Sequence, residues 1–324
     1  MSLMNDSSMT TEELIDKADQ LEDAGSINEA MECWRTILKS SSDPVLLCRF
    51  GILAMEQGER AEAEQAFLSA IAKAPNLSIA YESLGLLKLE QNNLEAAQDY
   101  FKKSLQIKQS ARTLTFLGSA QLRLGLTAAA RQSFRKALQI DFNYIEAHFN
   151  LALTFRNKQA SKAITFLQKA LELDPEYGPA HRELGWMLRQ SGHYPEAERH
   201  LRRAIELNPS DGWAYVYLGN LLWASGELAS AEQALKMGIT VWPDDSLTHW
   251  CLASFYEFQG QTQEAKKLYQ RAVQLDNNDP EANLRFGLFL KELGEGKKAR
   301  FYLEHALTLD PKNEYARSIL STLK

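Results

Sequence analysis

Residues 180–209 read AHRELGWMLRQSGHYPEAERHLRRAIELNP. Two amphipathic helices joined by a short turn account for this stretch. Leu184, Gly185 and Leu188 form one stripe, and Ala197, Leu201 and Ala204 form another, each at the spacing of a single helix face. Gly192 stands where the first helix must stop, because glycine enters the left-handed C-cap conformation without steric penalty. Pro209 follows the second helix, where a residue that cannot continue a helix belongs. The small residues Gly185, Ala197 and Ala204 leave room for two helices to approach closely.

The unit recurs along the chain. Ala197 belongs to a column of alanines: Ala30, Ala63, Ala97, Ala130, Ala163, Ala197, Ala231, Ala265 and Ala299, in steps of 33 or 34 residues. A second column holds only Gly or Ala: Ala18, Gly51, Gly85, Gly118, Ala152, Gly185, Gly219, Ala253 and Gly287. A third is bulky: Trp34, Phe67, Phe101, Phe134, Leu167, Leu201, Leu235, Tyr269 and Leu303. Period and columns together resemble the tetratricopeptide repeat over residues 11 to 313. The closing proline of that family stands at Pro75, Pro175, Pro209, Pro243 and Pro311, and Ser42, Gln109, Phe142 and Asn277 take its place elsewhere.

The resemblance implies an all-α fold, a right-handed α-solenoid or superhelix of nine two-helix units. Their starts fall near 11, 44, 78, 111, 145, 178, 212, 246 and 280. Residues 1–10 are expected to be a disordered tail, and residues 314–324 a C-terminal capping helix that lays Tyr315, Ile319, Leu320 and Leu323 on the last repeat. Repeat five is expected to turn differently, because Asn157 to Ala160 lacks the glycine of most other turns. At 324 residues a length prior suggests two domains, but a solenoid in which each unit touches its neighbours is one quasi-linear body.

Apolar residues make up 45% of the chain and supply a continuous core. The net charge of -6 argues against a general nucleic-acid binder. Charge is uneven: residues 1–77 carry 14 acidic and 6 basic side chains, the remainder 28 and 30. Cys33, Cys48 and Cys251 are scattered, so neither a disulfide framework nor a zinc site is indicated, and a reducing cytoplasm is the expected compartment. The first residues lack the basic and apolar parts of a signal peptide, and no apolar run approaches a membrane span.

No catalytic constellation is evident: there is no GxSxG, HExxH, phosphate loop or GxGxxG. The expectation is a non-enzyme without cofactor or metal. His148, His181 and His249 share one repeat column that is expected to pack between the helices of a unit. Two of them could offer two nitrogens but no third or fourth ligand.

In the family the first helix of each unit lines the concave side. Carried over residue by residue, this column set places Arg123 in repeat four, and Phe149 and Arg156 in repeat five. It places Arg182, Trp186 and Arg189 in repeat six, Trp213, Tyr217, Asn220 and Trp223 in repeat seven, and Trp250 and Phe258 in repeat eight. Large aromatics and arginine carry binding energy at interfaces. These residues are therefore the candidate partner-binding set, expected to hold an acidic and aromatic segment of another protein. The alternative for the rings is packing within the solenoid wall, and for the arginines local pairing. The Lys/Asn clamp of chaperone-binding members is absent, since Arg182, Trp186, Val216 and Asn220 occupy its places, and only Asn150 matches an asparagine ladder.

The function this implies is a cytoplasmic scaffold or adaptor. Alternatives are a regulatory or substrate-presenting subunit of a separately encoded enzyme, and a homo-oligomeric scaffold. RNA binding ranks below these, because the groove columns do not recur as a base-reading code would.

Overall fold

The computed structural model describes residues 9–156 and 159–323. Residues 1–8 of the expected tail 1–10, Asn157 and Lys158 of the unusual turn, and Lys324 lie outside the described residues, while Met9 and Thr10 of that tail are described. All regular structure among the described residues is helical. The chain divides into two compact bodies, Met1–Gln159 and Ala160–Lys324. The boundary falls inside repeat five.

The first body begins with the pairs α1 (Thr11–Asp23) and α2 (Ile27–Ser40), then α3 (Pro44–Glu56) and α4 (Arg60–Lys73). It continues with α5 (Ser78–Glu90) and α6 (Leu94–Ile107), α7 (Ala111–Arg123) and α8 (Thr127–Ile140), and ends with α9 (Ile145–Leu153). Each helix packs on the next, and successive first helices also touch. Thr10 caps α1 in a capping box: its hydroxyl accepts from the Glu13 N–H while the Glu13 carboxylate accepts from the Thr10 N–H. Met9 packs against the core of the first two repeats. At the far edge, Arg131 of α8 donates to the Thr154 hydroxyl and carbonyl and lies 4.2 Å from the Phe155 ring centre.

The second body opens with α10 (Ala160–Leu173). It then stacks α11 (Gly178–Gln190) with α12 (Tyr194–Leu207), α13 (Gly212–Ala224) with α14 (Leu228–Val241), and α15 (Ser246–Phe258) with α16 (Thr262–Leu275). α17 (Pro280–Glu292) and α18 (Gly296–Leu309) form the last pair, and α19 (Glu314–Thr322) covers it.

The three sequence columns share one physical role. Every member of the alanine column and of the bulky column is buried at 1% exposure or less. The Gly/Ala column faces the bulky one across each helix pair. A Cβ added at Gly85 would lie 2.6 Å from the Phe101 ring, and one at Gly219 would lie 2.7 Å from Leu235. The bulky side chain thus fills the space that the small residue vacates, and close packing of that kind is what a repeat interior requires. Outside repeat five, the turns between paired helices reverse the chain through one left-handed residue. Gly192 has φ 78°, and in repeat three Asn92 takes the same role at φ 59°, so a glycine is not needed in every turn.

The histidine column has a local explanation. His148 places Nε2 2.8 Å from the Phe142 carbonyl, and His181 places Nε2 3.0 Å from the Pro175 carbonyl. Asn283, in the same column, donates to the Asn277 carbonyl at 2.9 Å. Each answers a linker carbonyl six residues upstream, whereas His249 sets Nδ1 2.9 Å from the Asp245 carbonyl, four residues upstream.

α19 seals the last pair somewhat differently from expectation. Ala316 is its buried residue, with Ile319, Leu320 and Leu323 packed against Leu284, Leu303 and Ala306, while Tyr315 is 58% exposed. Tyr315 precedes Ala316 by one residue and so points about 100° away from the buried line.

Candidate functional site

The twelve candidate residues fall in both bodies. Arg123, Phe149 and Arg156 belong to the first, and the other nine to the second. In the first body Arg123 donates to the Leu89 carbonyl (3.1 Å) and to Asn92 Oδ1 (2.8 Å), clamping the turn of the preceding repeat. Phe149 and Arg156 are half-buried on and just beyond α9.

In the second body the first helices α11, α13, α15 and α17 lie side by side, each touching the next. Their one-turn offsets bring rings from adjacent helices together. Tyr217 of α13 is buried and forms the hinge of one group: Trp186 of α11 lies 6.2 Å from it and Trp213 lies 5.8 Å from it, edge to face. Trp213 also meets Trp242 edge to face at 6.4 Å. A second group joins Trp223 of α13 to Phe255 (5.5 Å) and Phe258 (5.3 Å) of α15. Edge-to-face and tilted pairs suit the ring quadrupole and add stability beyond the buried area. Trp186, Trp213, Trp223 and Trp250 are each half-buried, whereas Phe258 is 63% exposed. The rings therefore belong partly to the wall and partly to the surface, and Tyr217 belongs to the wall.

The arginines differ from the sequence expectation of a cation cluster awaiting an anion. Arg182 reaches Asp211 Oδ2 at 2.7 Å and lies 3.6 Å from Glu183. Asp211 is itself buried and caps α13 by accepting from the Trp213 and Ala214 N–H groups. Burial opposes the charge on Arg182, but Asp211 and Glu183 outweigh it, and its pKa is raised. Arg182 is thus answered from within the chain, by a cap in a linker that the helix columns did not include. Arg189 donates through Nε to the Asn220 carbonyl at 3.2 Å. Asn220 in turn reaches the buried Cys251 sulfur at 3.9 Å, and burial pushes that thiol up to about 12, far from a reactive thiolate.

Two residues outside the candidate set join it. Trp242 is legible through Gly212, because a Cβ there would lie 2.6 Å from the Trp242 ring. Arg285 stacks 4.5 Å over the Trp250 ring while pairing with Glu281 at 2.7 Å, and Trp250 Nε1 is buried without a hydrogen-bond partner. A cation over a tryptophan face is favourable in its own right. Among the described residues no three metal-ligating side chains gather.

Stacked helix pairs with a Gly/Ala column, a bulky column and short linkers of three or four residues between pairs define a helical-repeat protein. Family models described as tetratricopeptide repeat match residues 48–112, 111–144, 145–177, 188–247 and 259–323. The chain belongs to the tetratricopeptide repeat family. Among solved structures, it is similar to a tetratricopeptide repeat protein from Parabacteroides merdae, at 19% identity and a TM-score of 0.62, over 75% of this chain and 97% of that one. It is also similar to yeast Tom70, at 15% identity and a TM-score of 0.56, over 97% of this chain and 88% of that one. At these identities the likeness is one of fold. No curated protein matches the sequence. No described helix is long and apolar enough to cross a membrane.

Proposed function

We propose that this protein is a non-enzymatic scaffold that holds a peptide or helical segment of a partner protein against the first helices of its second body. The observation that carries this reading is the row of half-buried rings Trp186, Trp213, Trp223 and Trp250, with Phe258 standing 63% exposed beside Trp223. Rings fixed by neighbouring rings lose little rotamer entropy on binding, and an exposed ring next to them marks an interaction surface. Because Arg182 is engaged with Asp211, Arg189 with the Asn220 carbonyl and Arg285 with Glu281, the partner's contribution is chiefly apolar or aromatic.

The test starts from affinity purification in the native host, followed by calorimetry with the purified partner segment. Phe258→Ala and Trp186→Ala should each weaken binding by about 2 kcal/mol with little salt dependence, as for buried aromatic anchors. Unchanged affinity with both variants folded would remove this face from consideration.

A further inference from the structure

The first body contains two equivalent grooves, each bounded by two consecutive second helices and floored by the first helix between them. One, about 500 Å³, lies between α2 and α4, with Leu47 and Phe50 of α3 as floor. The other, about 370 Å³, lies between α6 and α8, with Leu114 and Leu117 of α7 as floor. The repeat register superposes them position by position. Arg35 corresponds to Lys102, Glu59 to Leu126, Glu62 to Ala129 and Ser69 to Lys136.

Their charge differs. In the first groove Arg35 is answered from across the gap by Glu59 at 2.6 Å and Glu62 at 3.1 Å, and by Glu32 on its own helix at 2.6 Å. These bonds, Glu62 first, raise the pKa of Arg35. In the second groove both facing carboxylates are replaced, by Leu126 and Ala129, while the second lining cation moves from Lys39 on α2 to Lys136 on α8, with Gln106 at the position of Lys39. Lys102 keeps only Asp99 on its own helix, at 3.6 Å, and both partners of that pair are exposed. Residues 101–140 carry eight lysines and arginines and no carboxylate at all.

We infer that the α6–α8 groove is a second docking site, which takes a carboxylate-bearing segment of a partner protein. Cations at this column bind carboxylates: Arg35 takes two from the opposite side of its groove, Arg202 and Lys236 take Glu198 and Glu232 from one turn back on their own helices, and Lys102 has Gln98 at that place. Where the chain omits them, the partner supplies them, and a charge-assisted hydrogen bond to a carboxylate is the strong kind. Leu105, Leu114 and Leu117 give such a segment an apolar floor, and Gln106 and Gln132 give amide walls. No aromatic ring lines the groove, so it lacks the stacking platform with which single-stranded nucleic acid is held. This site lies in the first body, apart from the aromatic row of the second.

The experiment uses the full chain and a fluorescent peptide of alternating glutamate and leucine, read by anisotropy at low and at physiological salt. The same peptide with glutamine for glutamate, and single-stranded oligouridylate, are the comparison probes. The glutamate peptide should bind with marked salt dependence and the glutamine peptide should not. Ala129→Glu restores the carboxylate found at Glu62 and should weaken binding about tenfold or more, by answering Lys102 internally and repelling the ligand. Lys102→Gln and Lys136→Gln, both at exposed positions, should each weaken it about threefold to fivefold and keep the site testable if Ala129→Glu disturbs folding. Phe258→Ala should leave it unchanged. Unaltered affinity in Ala129→Glu with native helicity would overturn the assignment, as would tighter binding of oligouridylate or loss of binding in Phe258→Ala. A dimer that Ala129→Glu dissolves would give the groove to a second copy's acidic first repeats and would equally overturn it.

Discussion

Replacing Gly85 by alanine tests the packing rule on which every repeat rests. The added Cβ would lie 2.6 Å and 2.7 Å from two carbons of the Phe101 ring. Ordinary carbon contacts begin near about 3.5 Å, so the ring would have to retreat by about 1 Å. Phe101 is fully buried and stacks on Phe116 at 5.8 Å, so it can retreat only if α5 and α6 separate. Overpacking of this kind costs about 1–3 kcal/mol, while alanine for glycine inside a helix returns up to about 1 kcal/mol. The net expectation is a loss of about 1–2 kcal/mol, concentrated in repeats two to four because repeats couple to their neighbours. Native-state hydrogen exchange resolves this by repeat, which a single global midpoint does not. The decisive control is the double variant. Phe101→Ala alone leaves a cavity and costs about 3–5 kcal/mol, but in that background Gly85→Ala meets no ring and should become neutral or stabilising. Gly178→Ala, whose Cβ would sit at an ordinary 3.6 Å from Leu207, should be harmless in either case. A Gly85→Ala penalty that persists without the Phe101 ring would refute the reasoning.

Arg182→Ala should destabilise repeats six and seven by about 1–3 kcal/mol, since it strips the buried Asp211 of its charge partner; urea titration should show part of the loss recovered when Asp211→Asn is added. His181 and His200 face each other Nδ1 to Nδ1 at 2.8 Å, a distance with room for one proton. Burial, and then His181, lowers the pKa of His200, so the folded chain disfavours the protonated form. The stability this contributes is present above the ordinary histidine value of about 6.5 and is lost as pH falls below it. Urea midpoints should therefore drop between neutral and mildly acidic pH, and His200→Gln should flatten that slope. Removing residues 314–324 uncovers Leu303, Ala306 and Leu284; light scattering should then show self-association, as an uncapped terminal repeat exposes its core.

Much of this protein was legible in one dimension. The alanine, Gly/Ala and bulky columns repeat because each unit buries the same contacts against the same neighbours, and burial constrains residue size at every copy. Periodicity therefore exposed the helix pairs and their core, and the structure added that the small column faces the bulky one, as Gly85 faces Phe101. What the columns could not carry was anything that occurs once. The division inside repeat five and the salt bridge from Arg182 to Asp211 are such features. The linker carbonyls that answer His148 and His181 do recur in register, but they are backbone groups that side-chain columns do not display. The columns could not carry the candidate surface either. Sequence placed Trp186, Trp213 and Trp223 on first helices, but only the tertiary structure decided that Tyr217 is buried among them, that Trp242 joins from a linker, and that Phe258 stands in solvent. Helical spacing determines which face a side chain occupies. How far a neighbouring helix covers that face depends on the side chains of both, and those differ from repeat to repeat.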